Sequence, residues 1–411
     1  MGRCGRADLL RRGRRRAHGA SGYATRRHPA LNPAETLRIT AVEGAAALNA
    51  FVAVPRAILG SDPAWIQPLN LERRLHLSAR GNPYFRHARW QAWTAWRGAL
   101  PVGRISAQID DLHLDRYRDA TGFFGMLDAE DSQETFGALL GAAERWLQAR
   151  GIKRVRGPFS LSINQETGLL VDGFDTPPFF MMGHARPYYG PRIENAGYHK
   201  ANDALAYLIA PNFGSAAMRR LIAATARRAR VRPIDMSSLS AELSLLRDIF
   251  NDAWAENWGF VPFTAEEFDD LGQTFRFLIH PGMIQIAEVD GEAAAFIVVL
   301  PNINEAIRGL NGRLFPIGWA KLLWRLKVRR PRSFRVPLMG VRRKFQRSRM
   351  GAALSFLVID AARSSVKHHA ADEIELGWIL ENNTGMRDII ESIGGRAYKR
   401  YRVYERTLDG G

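Results

Sequence analysis

Apolar and polar positions alternate from 37 to 42, and apolar residues then recur at helical spacing through an alanine-rich stretch to 59. Residues 91–109 read as two strands around an Arg97-Gly98 turn, 122–127 as a third, 133–149 as an amphipathic helix and 153–158 as a further strand. A loop rich in Pro, Gly and aromatic residues leads to 187–196, and Gly197 precedes a strand pattern ending at 209. A similar succession follows: a helix at 237–254, then strands at 283–289 and 293–300 joined by Asp290-Gly291, a strong hairpin signal. It continues with a strand at 333–341, a helix at 351–369, a strand at 373–379, a helix at 384–393 and a strand at 397–407. A constant offset of 197 aligns Gly197 with Gly394 and Tyr207 with Tyr404. The pattern predicts a duplicated α/β unit (an α+β mixed sheet in each copy), one copy spanning 36–210 and the other 211–411. The second copy carries an insertion near 302–332, and an Arg-rich tail covers 1–35.

Composition narrows the class. The chain has 411 residues, 46% hydrophobic and 24% charged, as expected of a globular protein of two or three domains. Its single cysteine, Cys4, excludes an intramolecular disulfide framework and a multi-cysteine zinc site. His184, His280, His368 and His369 are scattered without ligand spacing, so no metal is expected. The longest apolar runs, such as 293–300, are about half of the roughly 18 residues a membrane-crossing helix requires. The net charge of +17 is localised: +8 in residues 1–30 and +13 in residues 313–349, leaving the remainder at −4. Two local basic devices point to anionic partners at particular places. The tail lacks the apolar core of a secretory signal and reads as disordered and solvated; a start placed upstream of the true one would look the same.

The chemistry concentrates in residues 335–354, RVPLMGVRRKFQRSRMGAAL. A strand ends at Val341, a basic turn follows, and a helix opens near Met350-Gly351, presenting free backbone N–H groups and a positive helix end. Such a site binds pyrophosphate, with Gly351 and Ala352 permitting close approach and Arg342, Arg343, Lys344, Arg347 and Arg349 adding charge. The plain alternative is a solvated basic loop before an ordinary helix. Residues 346–352, QRSRMGA, resemble the acyl-CoA pyrophosphate loop of the GNAT acyltransferase superfamily; Gln346 and Gly351 match, and Arg349 replaces the first glycine. Glu381-Asn382-Asn383 resembles the superfamily's next motif, with Asn383, Met386, Ile389 and Gly394 in register. The first copy shares the element order, but residues 127–131, LDAED, are acidic where phosphates would sit. The resemblance implies two tandem GNAT-like domains, the first degenerate. It implies acyl-CoA as co-substrate, bound by Met339, Val341, Gln346, Arg347, Ser348, Arg349, Met350, Gly351, Ala352 and Asn383, without a metal.

The chemistry implied by that resemblance is direct acyl transfer from a thioester to an amine. A base deprotonates the ammonium, backbone N–H on a splayed strand (here 338–341) holds the thioester oxygen, and an acid protonates the thiolate. The position usually holding the acidic tyrosine is Ile390 here, leaving Tyr398 or Tyr401 for that role. For the base, Glu375 sits on a strand among apolar residues, a setting that raises a carboxyl pKa, and Glu256 is the competitor. The plain alternative for either, favoured for each taken singly, is a surface or helix-capping carboxylate.

The insertion contains LFPIGWAKLLWRLKV, residues 314–328, in which Lys321, Arg325 and Arg329 share one helical face and Trp and Leu occupy the rest. This describes an interfacial helix attracted to anionic lipid, or a buried helix showing its basic face to solvent. Residues 157–189, GPFSLSINQETGLLVDGFDTPPFFMMGHARPYY, with AWAENWGFVPFT at 253–264, resemble the long tandem GNAT proteins of bacteria. That group includes the bacterial ceramide synthases, which acylate a sphingoid base from acyl-CoA. The resemblance implies a long-chain acyl-CoA donor and an amino-lipid acceptor contacted by Trp254, Asn257, Trp258, Tyr188 and Tyr189. It also implies a cytoplasmic protein peripheral on the inner face of the inner membrane. The 177–189 loop would wall an acceptor tunnel between the copies, or simply pack their interface. Two alternatives stand beside this reading: an aminoacyl-tRNA-dependent transferase of the peptidoglycan type, and a non-catalytic acyl-CoA or nucleic-acid binder. The basic stretches lack the interleaved aromatics of base-reading modules, apart from Trp319 and Trp324, which disfavours nucleic acid.

Overall fold

The computed structural model describes residues 35–276 and 280–408; the Arg-rich tail, Cys4 with it, lies outside them. The first copy contributes strands β1 (Leu37–Ala41), β2 (Ala88–Arg97), β3 (Leu100–Asp110), β4 (Thr121–Ala129) and β5 (Arg154–Gly157). A small ribbon, β6 (Phe159–Ser160) with β7 (Glu166–Thr167), is followed by β8 (Leu169–Asp172) and β9 (His199–Ile209). The second copy contributes β10 (Ala229–Pro233), β11 (Ile284–Val289), β12 (Glu292–Pro301), β13 (Ser333–Val341), β14 (Glu373–Leu380) and β15 (Arg396–Thr407). Helices of the first copy are α1 (Gly44–Leu59), α2 (Asn70–His76), α3 (Asp111–Tyr117), α4 (Gln133–Gln148) and α5 (Tyr189–Glu194). Those of the second are α6 (Ala216–Thr225), α7 (Leu239–Trp254), α8 (Ala265–Phe275), α9 (Ile303–Ile307), α10 (Gly318–Trp324), α11 (Arg343–Gln346), α12 (Arg349–His368) and α13 (Thr384–Ser392).

One mixed sheet runs through both copies in the order β1-β2-β3-β4-β5-β15-β9-β14-β13-β12-β11-β10, with β8 paired beside β15. Each copy is antiparallel except for one parallel pair, β4 with β5 and β13 with β14. The last strands are exchanged: β15 pairs with β5 of the first copy, and β9 with β14 of the second. Between them, Ala204 faces Tyr401, residues related by the 197 offset, so the pseudo-twofold axis passes through that pair. The division at 210 is therefore a repeat in sequence, while in space the copies share a continuous sheet.

Local signals explain most elements. Asp290 and Gly291 both adopt positive φ (52° and 88°), the conformation a two-residue hairpin turn of this hand demands. Gly197 and Gly394 repeat the same left-handed turn, at 87° and 96°. Thr264 and Glu267 form a reciprocal capping box that opens α8. Several features depart from the pattern reading, the short helices α2, α3 and α6 and the β6–β7 ribbon among them. The pattern misses β10 because its Arg230 and Arg232 look solvated; they pair with Glu288 of β11 on an edge strand. It also misses α8. The expected 314–328 helix is confined to Gly318–Trp324 plus a wide turn through Arg329, because Pro316 disfavours helical backbone before it.

Apolar side chains pack on both faces of the second copy's sheet. One layer lies beneath α12, around Leu354, Val358 and Val366, and the other beneath α7, around Leu246, Ile249 and Phe250. A site between β13 and β14 is thus walled by packed helices on both sides.

Candidate functional site

β13 and β14 pair only over Ser333–Val336 and Glu373–Leu376, although both strands continue beyond. Separation begins at Pro337, which has no N–H to donate to a ladder. The gap opens into a cavity of about 390 Å³, within the range of ligand sites, roughly 300–1,000 Å³. Met339, Val341, Gln346, Gly351, Ala352 and Asn383 line it, as do Trp254 and Asn257. The Met339 carbonyl accepts the Trp254 indole N–H at 2.9 Å, so it points away from β12. In an extended strand a residue's N–H and C=O point to the same side, so the Met339 amide is available to a thioester oxygen in the gap.

The turn leading into α12 is built around its own backbone. Ser348 caps the helix, accepting the Gly351 amide at 3.2 Å and donating to the Phe345 carbonyl at 2.6 Å. A Cβ on Gly351 would meet that carbonyl oxygen at 2.2 Å, so glycine is required here by the turn itself, before any phosphate is considered. The amides of Arg349 and Met350 lie in the first turn, where no intrahelical acceptor exists. No acidic residue occupies that turn. Arg347 and Arg349 are exposed, Arg347 lying 3.4 Å from the exposed Glu256, whereas Arg342, Arg343 and Lys344 are paired with Asp248, Asp252 and Glu292. Arg347, Ser348, Arg349 and Met350 are not among the residues that line the cavity, and Met350 packs against the core layer beneath α12.

The two candidate bases fall in different surroundings. Glu256 is exposed and lies 3.4 Å from Arg347 and 3.8 Å from Arg343, within the basic turn's own ion pairs. Glu375 is fully buried, on the face of β14 opposite α12. Tyr398 donates a hydrogen bond to Glu375 Oε2, and Arg335 Nε lies 3.3 Å from Oε1. Arg335 in turn donates to the carbonyls of Gly377 (2.9 Å) and Phe180 (2.7 Å). Burial pushes the Glu375 carboxyl above its ordinary range, against the opposing pull of Arg335 and Tyr398. Burial and the neighbouring carboxylate push the Tyr398 hydroxyl up as well, which makes it a poor acid and a good holder of Glu375. Lys399 beside it is brought down to about 8 by burial and holds the carbonyls of Gly173 and Thr176.

A second, apolar cavity of about 80 Å³ lies on the Glu375 face, beneath α7 and α8. Trp254, Pro337 and Trp378 line both cavities, so the two meet at the splay. Arg335, Asn164 and Gln165 are its polar rim, and among the described residues no carboxylate lines either cavity. Glu375 is separated from the first by Gly377, a wall residue with no side chain. A third cavity, about 280 Å³, lies between α1, α2, α9 and the 178–184 segment, with Arg73, Arg104, Asp128 and Glu166 in its walls.

Three predicted contacts lie elsewhere. Tyr189 is buried in the first copy's core with its hydroxyl 3.4 Å from Asp128, and Tyr188 donates to the Ala129 carbonyl at 2.8 Å. Trp258 packs beneath the Arg156 guanidinium near Phe123 and Phe159. Of the 177–189 loop, the 178–184 part lines the third cavity, whereas Tyr188 and Tyr189 turn inward to fill space against Phe136. Ile390 is buried against Leu205 and Tyr207, and the Tyr401 hydroxyl has no hydrogen-bond partner among the described residues. Sequence reasoning missed Arg335 and Pro337; the proline inside a strand pattern was the available signal for the splay. No group of three or more His, Cys, Asp or Glu among the described residues is placed to hold a metal ion.

No family model matches the sequence. The chain is 50% identical over 363 residues to Protein YghO of Escherichia coli, covering 88% of this chain and 93% of that one. It is 46% identical over 375 residues to Bacterial ceramide synthase of Caulobacter vibrioides, covering 90% and 98%. The fold matches a tandem GNAT protein from the clavulanic acid biosynthesis pathway with a TM-score of 0.54 at 11% identity, over 92% of this chain and all of that one. Identity of 46–50% to two bacterial proteins over nearly nine-tenths of the chain leaves one assignment: this chain belongs to the bacterial ceramide synthase family of acyltransferases, on a tandem GNAT fold.

Proposed function

We propose that the protein transfers a long-chain acyl group from acyl-CoA to the primary amine of a sphingoid-type lipid. The observation that carries this reading is the splay cavity, roofed by the unacidic helix end of α12 and joined by Trp254, Pro337 and Trp378 to a second apolar cavity. The amine nitrogen attacks the thioester carbonyl, the C–S bond breaks, and an amide and CoA thiol form. The Met339 amide stabilises the oxyanion, and Arg347 and Arg349 with the first-turn amides hold the diphosphate. Glu375 accepts the ammonium proton across the gap left by Gly377, with its raised pKa placing it nearer the pH of the reaction. Tyr398 positions Glu375.

Substrate access supports a lipid acceptor. Phe315, Ile317, Trp319, Leu323, Trp324 and Val328 are all exposed, Phe315 to 76%, and Leu71 and Leu75 of the neighbouring α2 are exposed as well. They are interspersed with Lys321, Lys327, Arg329 and Arg330 and no acid. Leu314 and Leu322 anchor the segment inward against Ile66, Ile307 and Leu310. This surface suits an anionic bilayer, each basic residue there contributing about 1 kcal/mol, and it adjoins the third cavity through Ile66, Leu69 and Ile307. No helix among the described residues is long and apolar enough to cross a membrane. Arg342, Arg343 and Lys344 are each paired with an acid, which withdraws that part of the second basic stretch from a polyanion such as tRNA. Purified protein supplied with sphinganine, palmitoyl-CoA and phosphatidylglycerol vesicles should form the N-acyl product and sediment with the vesicles. Failure to form an amide with every long-chain donor and amine tried overturns the reading.

A further inference from the structure

The splay cavity is longer than the splay. On α12 its wall is a stripe of Gly351, Ser355, Ile359, Ala362 and Val366, one helical face of 16 residues with a rise of about 22 Å from end to end. The opposing sheet wall passes the end of the splay to Val336 and Ile374, where β13 and β14 are hydrogen-bonded again. Past Ser355, whose hydroxyl is already satisfied by the Gly351 carbonyl at 3.0 Å, the lining is apolar until Arg363. Arg363 closes the far end: its guanidinium donates to the Phe213 carbonyl at 2.6 Å and to Asp360 and lies 5.3 Å from the Phe213 ring, while its Nε has no hydrogen-bond partner among the described residues.

A pantetheine arm carries amides that need partners, and the free edge of β13 offers them only from Pro337 onward. Between Ser355 and Arg363 the channel offers none, so a polar group there would be left unpaired, while an alkyl chain loses nothing by entering. It is continuous with the splay, and it lies on the α12 face, whereas Arg335, Glu375 and the first copy's loop lie on the other.

We propose that the donor's fatty acyl chain lies in this distal channel between α12 and the sheet, with Ala362, Val366 and Phe213 setting the chain length. The acceptor lipid then approaches from the α7 face, and the two chains meet only at the splay. The proposal rests on the acyl-CoA reading of the site and specifies where its chain goes.

The test compares octanoyl-CoA with palmitoyl-CoA, both by turnover and by direct binding. Ala362→Phe should lower kcat/KM and affinity for palmitoyl-CoA by about tenfold or more while changing octanoyl-CoA by no more than about threefold, since a methylene's worth of pocket volume discriminates on that scale. Retained octanoyl-CoA use shows that the variant is folded. Phe213→Ala should move the preference toward longer chains, and Leu271→Phe, in the cavity on the other face, should leave the chain-length profile unchanged. Equal losses with both donors in Ala362→Phe, or a profile moved by Leu271→Phe, overturn the proposal. Absence of any amide from the wild type would instead strike the function proposed above, and the binding series would still decide the channel.

Discussion

The two copies place a helix N-terminus at the same point of the same fold and treat it in opposite ways. In the first copy, α4 opens with Ser132 as cap and carries Glu130, Asp131 and Glu134 around its end. Arg97 neutralises Glu130 and Glu134 at 2.8 and 2.7 Å, so the helix end is satisfied from within the chain. In the second copy Ser348 caps α12 similarly, but the surrounding charges are arginines and the first turn holds no acid. The strand gaps differ as well. β4 and β5 pair only over Thr121–Phe123 and Arg154–Arg156, yet the opening beyond is filled by the chain itself: a Cβ on Gly125 would meet the Phe159 carbonyl at 1.7 Å. Gln108 fixes that filling by donating to the carbonyls of Phe159 and Leu161 at 2.7 and 3.1 Å. On the acyl-CoA reading proposed above, ligand competence rests on two local choices: whether the chain occupies its own splay, and whether it neutralises its own helix end.

Both copies also bury a carboxylate whose pKa burial raises, Asp128 in the first and Glu375 in the second. Only the second should matter to catalysis. Glu375→Gln is expected to lower kcat by about 10²–10⁴, the usual range for loss of a general base. The sign in pH follows from the direction of the shift. The base acts ionised, and a raised pKa means the ionised form is lost at a higher pH than for a surface glutamate. The wild-type rate should thus fall on the acid side above the ordinary glutamate range, and Glu375→Gln should abolish that limb. Asp128→Asn should leave it in place. A kinetic limb that disappears with Asp128→Asn would break the contrast between the copies.

Much of this contrast was legible in the sequence. The acidic LDAED against the basic QRSRMGA already separates the two helix ends, and the Asp290-Gly291 turn and the repeated Gly197 and Gly394 fix the register of the duplication. The exchange of β9 and β15 was not, because a strand's alternation is the same whether it closes its own half or its partner's; that choice lies in pairing across some 200 residues. Nor was the placement of Glu375. Alternation puts it opposite Ile374 and Leu376, but which face carries α12 is decided by the crossover from β13 to β14. Tyr188 and Tyr189 misled for a related reason: aromatic side chains in a loop read alike whether they line a tunnel or fill a core.

An intermediate effect is expected at the helix end. Converting the α12 rim toward the α4 pattern, with Arg347→Glu and Arg349→Glu together, should raise the KM for acyl-CoA by about 10- to 100-fold at low salt and by less at high salt, because exposed charges are screened. The converse change, Glu130→Gln with Glu134→Gln, should create no new site, since residues 159–161 still fill the first splay. Calorimetric titration should accordingly give one acyl-CoA per chain in both proteins. Two sites in the converse variant would mean that charge alone, and not the filled splay, silences the first copy.

The smallest effect separates structure from recognition in the first copy. Tyr188 donates a hydrogen bond from its hydroxyl to the Ala129 carbonyl at 2.8 Å, next to the strand end that leads into α4. Removing it with Tyr188→Phe leaves a half-buried ring in place and one carbonyl without its donor. Loss of such a bond costs about 1 kcal/mol, up to about 3 if the carbonyl stays dry. The expected result is a lower denaturant midpoint with an unchanged slope, and KM values for both substrates within about twofold of wild type. Tyr189→Phe should cost less, its contact to Asp128 being 3.4 Å long. A rise in the acceptor's KM with no change in stability would give these tyrosines a substrate to touch, and the first copy a part in binding that its filled splay argues against.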